Sequence, residues 1–309
     1  MYSLIDIKDL DKTQIFEIFD LANTIKNNAS ANKKNIKKSI KKNRKILIGK
    51  TIANLFFENS TRTLISFELA ATRLGADVIN VNINKSSTAK GETLKDTVLT
   101  LQAMGCDAFV VRHSQNNICQ EIRTWLKPQT ALINAGDGNN QHPTQALLDL
   151  FTIQKYKKDL DNIKVSIIGD IKHSRVANSL VDALHILGNN KIHLFGPSEL
   201  LPKQSEKAII CQDMQQALDN SEVIVMLRIQ KERMAQHNIP DLANYHQNFG
   251  LNKHTLAFAN PNCIVLHPGP INREVEISSE IADNFPAVIL EQVSNGVFIR
   301  QAVLATLLN

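Results

Sequence analysis

Three hydroxyls and an arginine stand together in Ser60-Thr61-Arg62-Thr63, between the apolar stretch Thr51–Phe57 and a run with helical spacing. A strand that ends here and a helix that begins here leave several backbone N–H groups without intrahelical partners. Those donors, the hydroxyls and the positive helix end suit a phosphate, and Arg62 adds a fork able to bind it bidentately. The turn is not a P-loop, because GxxxxGK[ST] does not occur. As a bare Ser/Thr cap it would hold only its own helix; the added arginine tips the reading to an anion site.

Further polar clusters follow other apolar runs. Ser86, Lys90 and Gly91 lie in the loop KSSTAKGET, a second turn of phosphate-friendly composition but weak by itself. Arg112-His113 directly follows the apolar Ala108–Val111. His142 and Gln145 sit in AGDGNNQHPTQ, where Pro143 is suited to the first position of a helix. Later in the chain Arg175 follows Gly169-Asp170, Arg228 and Gln230 stand in MLRIQKER, and HPGPINR holds Pro268 and Gly269. The set has no carboxylate pair and no Ser-His-Asp combination. Such a site acts by positioning anions and stabilising charge, not through a covalent protein intermediate.

The elements that must hold these residues alternate. Leu10 to about Ile25 has helical spacing, Thr51–Phe57 is a strand, and Phe67, Ala70, Ala71 and Leu74 line a helix closed by Gly75. Strand Asp77–Ile83, helix Thr93–Met104, strand Asp107–Arg112, strand Ala131–Asn134 and helix Pro143–Gln154 complete the first half. After the charged stretch Lys155–Asp161 come strand Ile163–Ile168, helix Arg175–Leu187 and strands Lys191–Phe195, Glu222–Leu227 and Cys263–Leu266. A last helix is expected from about Pro286 to Leu308, interrupted at Gly296. This order predicts two doubly wound α/β domains with parallel sheets, residues 1–150 and 151–287. The active site is then expected in the cleft between them, since ligands of open α/β sheets bind past the carboxyl ends of the strands.

Bulk composition excludes other classes. The chain has 309 residues, 43% hydrophobic and 21% charged, and no apolar run approaches the roughly 20 residues of a membrane span. Its start, MYSLID, lacks a signal-peptide pattern, so a cytoplasmic location is expected. Four scattered cysteines show no metal-ligand spacing; neither a disulfide framework, a metal nor a cofactor is expected. The net charge of +5 comes from residues 26–45, which hold nine bases and no acid. That stretch is read as a solvated connection and not as a nucleic-acid site, because it has no interleaved aromatics. A dinucleotide-binding reading of residues 163–187 fails on the missing GxGxxG.

Taken as an ordered set, FFENSTRTLISFELAATRLGA, SSTAKGETLKDT, VVRH, AGDGNNQHPTQALLDL, LRIQKER and HPGPINR resemble the transcarbamylases, most closely the catalytic chain that acts on aspartate. The resemblance runs from about residue 51 to the C-terminus. It implies carbamoyl transfer from carbamoyl phosphate to the amine of L-aspartate, an early step of pyrimidine synthesis. Carried over by motif, Ser60, Thr61, Arg62, Thr63 and Arg112 would hold carbamoyl phosphate. His142, Thr63 and Arg112 would face its carbonyl oxygen, and Gln145, Pro268 and Gly269 its NH2 group. Arg175, Arg228 and Gln230 would bind the aspartate carboxylates. Ser86 and Lys90 resemble residues lent to a neighbouring subunit, which implies a homotrimer with shared sites; a regulatory chain or pathway enzyme is a further partner the family allows. The C-terminal helix, about 288–309, would pack back on the first domain. The ornithine-specific sister enzyme is the alternative, but it typically has HCLP where this chain has HPGP. One departure is Leu64, where the family usually has a basic residue.

Overall fold

The computed structural model describes residues 2–30, 43–81, 92–230 and 242–309. It divides into two compact units, Met1–Leu147 with Ser294–Asn309, and Leu148–Val293. Each unit is α/β and, among the described residues, is built on one sheet of five strands whose pairings are all parallel.

The first sheet contains β1 (Ser3–Leu4), β2 (Thr51–Phe56), β3 (Asp77–Val81), β4 (Ala108–His113) and β5 (Ala131–Asp137) in the order β1-β5-β4-β2-β3. The central strands β2, β4 and β5 are buried over nearly their whole length, which is why they read as unbroken apolar runs instead of alternating ones. The edge strand β3 is largely exposed. The first unit also holds α1 (Lys12–Ser30), α2 (Thr61–Leu74), α3 (Leu94–Ala103), α4 (Ile118–Trp125) and the first turn of α5 (Pro143–Tyr156), whose remainder belongs to the second unit. Helix α1 is opened by a reciprocal pair: Asp11 Oδ1 accepts the Gln14 N–H at 2.8 Å, and Gln14 Oε1 accepts the Asp11 N–H at 3.0 Å. Its stripe Ile15, Ile18, Phe19, Ala22 and Ile25 is buried, as the spacing predicts.

The second sheet contains β6 (Val165–Ile168), β7 (Ile192–Phe195), β8 (Ile209–Ile210), β9 (Val223–Met226) and β10 (Ile264–Leu266) in the order β10-β9-β6-β7-β8. Its helices are α6 (Arg175–Ile186), α7 (Met214–Leu218), α8 (Leu242–Phe249), α9 (Lys253–Leu256) and α10 (Ser279–Ala282). Ile168, Met214, Leu218, Ile224, Met226 and Val265 belong to its core.

The last helix, α11 (Ile289–Leu308), differs from expectation at both marked points. It begins after Pro286 because that segment is still paired with β10: the Val265 N–H donates to the Pro286 carbonyl and the Val288 N–H to the Val265 carbonyl, each at 2.9 Å. It also runs unbroken through Gly296. A single glycine weakens a helix by about 1 kcal/mol, which tertiary packing readily outweighs. Within the first unit, Ile299, Ala302, Val303 and Leu304 are buried, and Arg300 Nη1 donates to Ser66 Oγ at 2.7 Å with its guanidinium 5.0 Å from the Phe67 ring centre. Strands β1 and β8 and helices α4, α7, α8, α9 and α10 have no counterpart in the sequence reading.

Candidate active site

The two strand orders each contain one reversal. In the first sheet the chain leaves β2 for β3 on one side and then resumes with β4 on the other. In the second it leaves β6 for β7 and β8, then resumes with β9 on the opposite side of β6. Crevices at such switch points, past the carboxyl ends of the strands, are where doubly wound sheets take ligands. The motif residues lie at both.

At the first switch point, Phe56 pairs with Arg112, and the Phe57 N–H donates to the Arg112 carbonyl at 2.8 Å. The chain then turns into α2 with Ser60 as its N-cap. The Ser60 hydroxyl makes no capping bond, and the first turn holds no acidic residue. The helix end thus keeps its positive character, with Thr61 and Arg62 exposed on it. Thr63 and Leu64 follow, both half-buried. Arg112 is anchored on two sides: Nη1 donates to the Ala135 carbonyl at 3.1 Å, and Nε lies 3.3 Å from Glu58 Oε2.

Beside Arg112, His113 accepts the Gln115 N–H on Nδ1 at 2.9 Å and packs against Phe57. Burial lowers its pKa, and the Glu58 charge opposes that in part. From β5, Asp137 is fully buried and collects the Asn134 amide, the backbone N–H groups of Asn117 and Gln141, and the Asn140 amide, at 2.8–3.1 Å. This ties down the loop that leads to His142. Gly138, at φ +47°, is required there, because a Cβ would come 1.8 Å from Asn116 Oδ1. His142 immediately precedes α5 and is 3% exposed; Gln145 lies in its first turn and donates its N–H to the His142 carbonyl at 2.9 Å.

At the second switch point, Gly169 ends β6 at φ +124°, and a Cβ there would come 2.8 Å from the Leu227 carbonyl beyond β9. Only glycine permits that approach. Next to it the fully buried Asp170 accepts His173 through Nδ1 at 2.8 Å and the Gln230 N–H at 3.2 Å. Gln230 returns its side-chain amide to the His173 carbonyl at 2.9 Å. Arg175 is the first residue of α6, almost wholly buried, behind Ser174, whose hydroxyl accepts the Ala177 N–H at 3.1 Å. Arg228 is half-buried. Pro268 and Gly269 follow β10; the Gly269 N–H donates to His267 Nδ1 at 2.9 Å, and the His267 N–H to Gln292 Oε1 at 3.1 Å.

Of the expected residues, Ser60, Thr61, Arg62, Thr63, Arg112, His142 and Gln145 lie in the first unit, and Arg175, Arg228, Gln230, Pro268 and Gly269 in the second. Ser86 and Lys90 lie outside the described residues. The geometry adds the carboxylates Glu58, Asp137, Asp170 and Glu276, none of which the sequence reading gave a role. The four cysteines are all buried and free. No helix among the described residues is long and apolar enough to cross a membrane.

Both units have counterparts among known proteins. Residues 2–155 match the family model described as aspartate/ornithine carbamoyltransferase, carbamoyl-P binding domain, and residues 161–307 match the Asp/Orn binding domain of the same family. The catalytic subunit of M. jannaschii aspartate transcarbamoylase is similar at 35% identity and a TM-score of 0.82, over 99% of this chain and 98% of that one. Aspartate transcarbamoylase from Trypanosoma cruzi, solved with carbamoyl aspartate and phosphate, is similar at 30% identity and a TM-score of 0.81, over 99% and 96%. Ornithine carbamoyltransferase from Thermus thermophilus shares the fold, with 22% identity and a TM-score of 0.84 over 100% and 99%. On the strength of both domain matches, this chain belongs to the aspartate/ornithine carbamoyltransferase family.

Proposed function

We propose that the protein transfers the carbamoyl group of carbamoyl phosphate to the amine of L-aspartate, giving N-carbamoyl-L-aspartate and phosphate for pyrimidine synthesis in the cytoplasm. The observation that carries the choice of acceptor is the cationic second switch point, where Arg175, Arg228 and the amide of Gln230 follow β6 and β9. Two carboxylates suit those donors, whereas the cationic side chain of ornithine would meet like charge. The T. cruzi enzyme solved with carbamoyl phosphate and aspartate supports the same choice at 28% identity.

In this reading the N-terminal turn of α2 and Arg112 hold the phosphate. As the amine attacks, a C–N bond forms, negative charge grows on the carbonyl oxygen, and the C–O bond to phosphate breaks. Thr63, Arg112 and His142 stabilise that oxygen, while Gln145 and the backbone of Pro268 and Gly269 orient the NH2 group. The amine's proton leaves with the phosphate. Donors fixed in advance at developing charge commonly account for the largest share of such catalysis. Ser86 and Lys90 are assigned to the site of a neighbouring copy, which makes the active species a homotrimer.

Phosphate release assayed with aspartate and with ornithine tests the acceptor. Turnover with aspartate alone is expected, and turnover with ornithine alone overturns the proposal. Sedimentation velocity tests the trimer.

A further inference from the structure

Glu276 is fully buried in the second unit, and the chemistry proposed above gives it no part. Its carboxylate accepts three hydrogen bonds. Oε1 takes the Ile229 backbone N–H at 3.2 Å and the Asn272 side-chain amide at 2.6 Å, while Oε2 takes the Asn272 backbone N–H at 2.9 Å. Ile229 is the residue between Arg228 and Gln230, and Asn272 belongs to the HPGPINR run that holds Pro268 and Gly269. One side chain therefore joins the segment assigned to the acceptor's carboxylates to the segment assigned to the carbamoyl NH2.

The next amide along is held in the same manner, since the Gln230 N–H ends on the buried Asp170. Two consecutive backbone N–H groups thus each meet a buried carboxylate from a different part of the chain. Burying a carboxylate is costly unless its hydrogen bonds are made, and removing it leaves its donors unsatisfied. Burial pushes the Glu276 carboxyl up, and the donors around it pull it down. Ile229 itself is fully buried, so the loop is fixed at its middle residue, with half-buried Arg228 and Gln230 on either side of it.

We infer that Glu276 is a positioning residue for the acceptor amino acid, fixing the backbone of Arg228–Gln230 against the Asn272 segment before substrate arrives. A loop already ordered in its binding conformation does not lose that entropy on binding. The inference rests on the assignment of Arg228 and Gln230 to the acceptor.

The test is steady-state kinetics of E276Q with each substrate varied in turn, together with its thermal midpoint. The variant keeps the shape but turns an amide N–H2 toward groups that are themselves donors. The KM for aspartate is expected to rise about tenfold, the size of one charge-assisted hydrogen bond, with the KM for carbamoyl phosphate within about twofold of wild type. An unchanged aspartate KM in folded E276Q overturns the inference, as does an equal rise in both KM values with a lowered midpoint. If E276Q yields no folded protein, N272A decides: a rise of roughly tenfold in aspartate KM is expected from one lost hydrogen bond to a carboxylate, and no rise overturns it. Wild-type assays separate this from the choice of acceptor. Should ornithine be the acceptor, the same comparison made on ornithine KM still decides the role of Glu276.

Discussion

Arg112 Nε lies 3.3 Å from Glu58 Oε2, with the two side chains only 14% and 20% exposed, beside the N-terminal turn of α2. The carboxylate partly neutralises the guanidinium that an incoming phosphate would meet. Because Nη1 is also held by the Ala135 carbonyl, Arg112 does not depend on Glu58 alone for its orientation. E58Q is therefore expected to bind inorganic phosphate more tightly, by about threefold to tenfold at low salt. Calorimetric titration checks this; weaker binding would mean that orientation by Glu58 outweighs its charge.

Arg62 and His142 are expected to be needed for the chemical step. R62A and H142A should each lower kcat/KM by roughly two to three orders of magnitude, the usual cost of losing one donor aimed at developing charge. Near-normal kinetics in R62A would remove the phosphate assignment of the Ser60–Thr63 turn.

R228A separates binding from chemistry. Loss of a charge-assisted contact to a carboxylate costs about 1.5–3 kcal/mol, so the KM for aspartate should rise roughly tenfold to a hundredfold. The KM for carbamoyl phosphate should stay near wild type, and a rise confined to that substrate would reverse the assignment.

His113 predicts an acid-sensitive contribution to stability. Burial holds its folded pKa below the ordinary 6.5, so the unfolded chain binds the proton more readily. Its contribution is complete above the ordinary value and is lost as pH falls through the lowered one. Protonation would also abolish the acceptor at Nδ1 that holds the Gln115 N–H. Urea midpoints measured across this range should fall less in H113Q than in wild type; equal slopes would show that His113 contributes nothing.

The Tyr245 hydroxyl is buried and has no hydrogen-bond partner among the described residues. Burial, with the nearby charges of Glu276 and Asp170, pushes its ionisation well up, so it stays neutral. An unsatisfied buried hydroxyl is a cost, and Y245F should leave stability unchanged or raise it by about 1 kcal/mol. A clear loss on denaturant titration would show that the hydroxyl is bonded in solution.

How far the sequence discloses this molecule depends on the range of each interaction. Val223–Met226 and Ala131–Asn134 read as strands because parallel strands covered on both faces are apolar throughout. The clusters at Arg112, Gly169 and Arg228 were legible as a set because each directly follows such a run. Helix α4 was not, since it opens at Asn117 in a left-handed conformation without a side-chain cap, and the Asn117 N–H finds Asp137 instead. The carboxylate ties are silent for the same reason. Ile229 and Glu276 are 47 positions apart, and Gln230 and Asp170 are 60. No local pattern announces such pairs; only the strand order brings them together.

The assignment of Ser294–Asn309 to the first unit sets an order of events during synthesis. A growing chain that has reached Val293 contains every residue of the second unit, while the first still lacks the buried Ile299, Ala302, Val303 and Leu304. The first unit, begun before the second, is therefore completed after it, and its other helices wait for the C-terminal part of α11. A frameshift just after Val293 would spare the second unit's core and leave the first unit's exposed to chaperones and proteases.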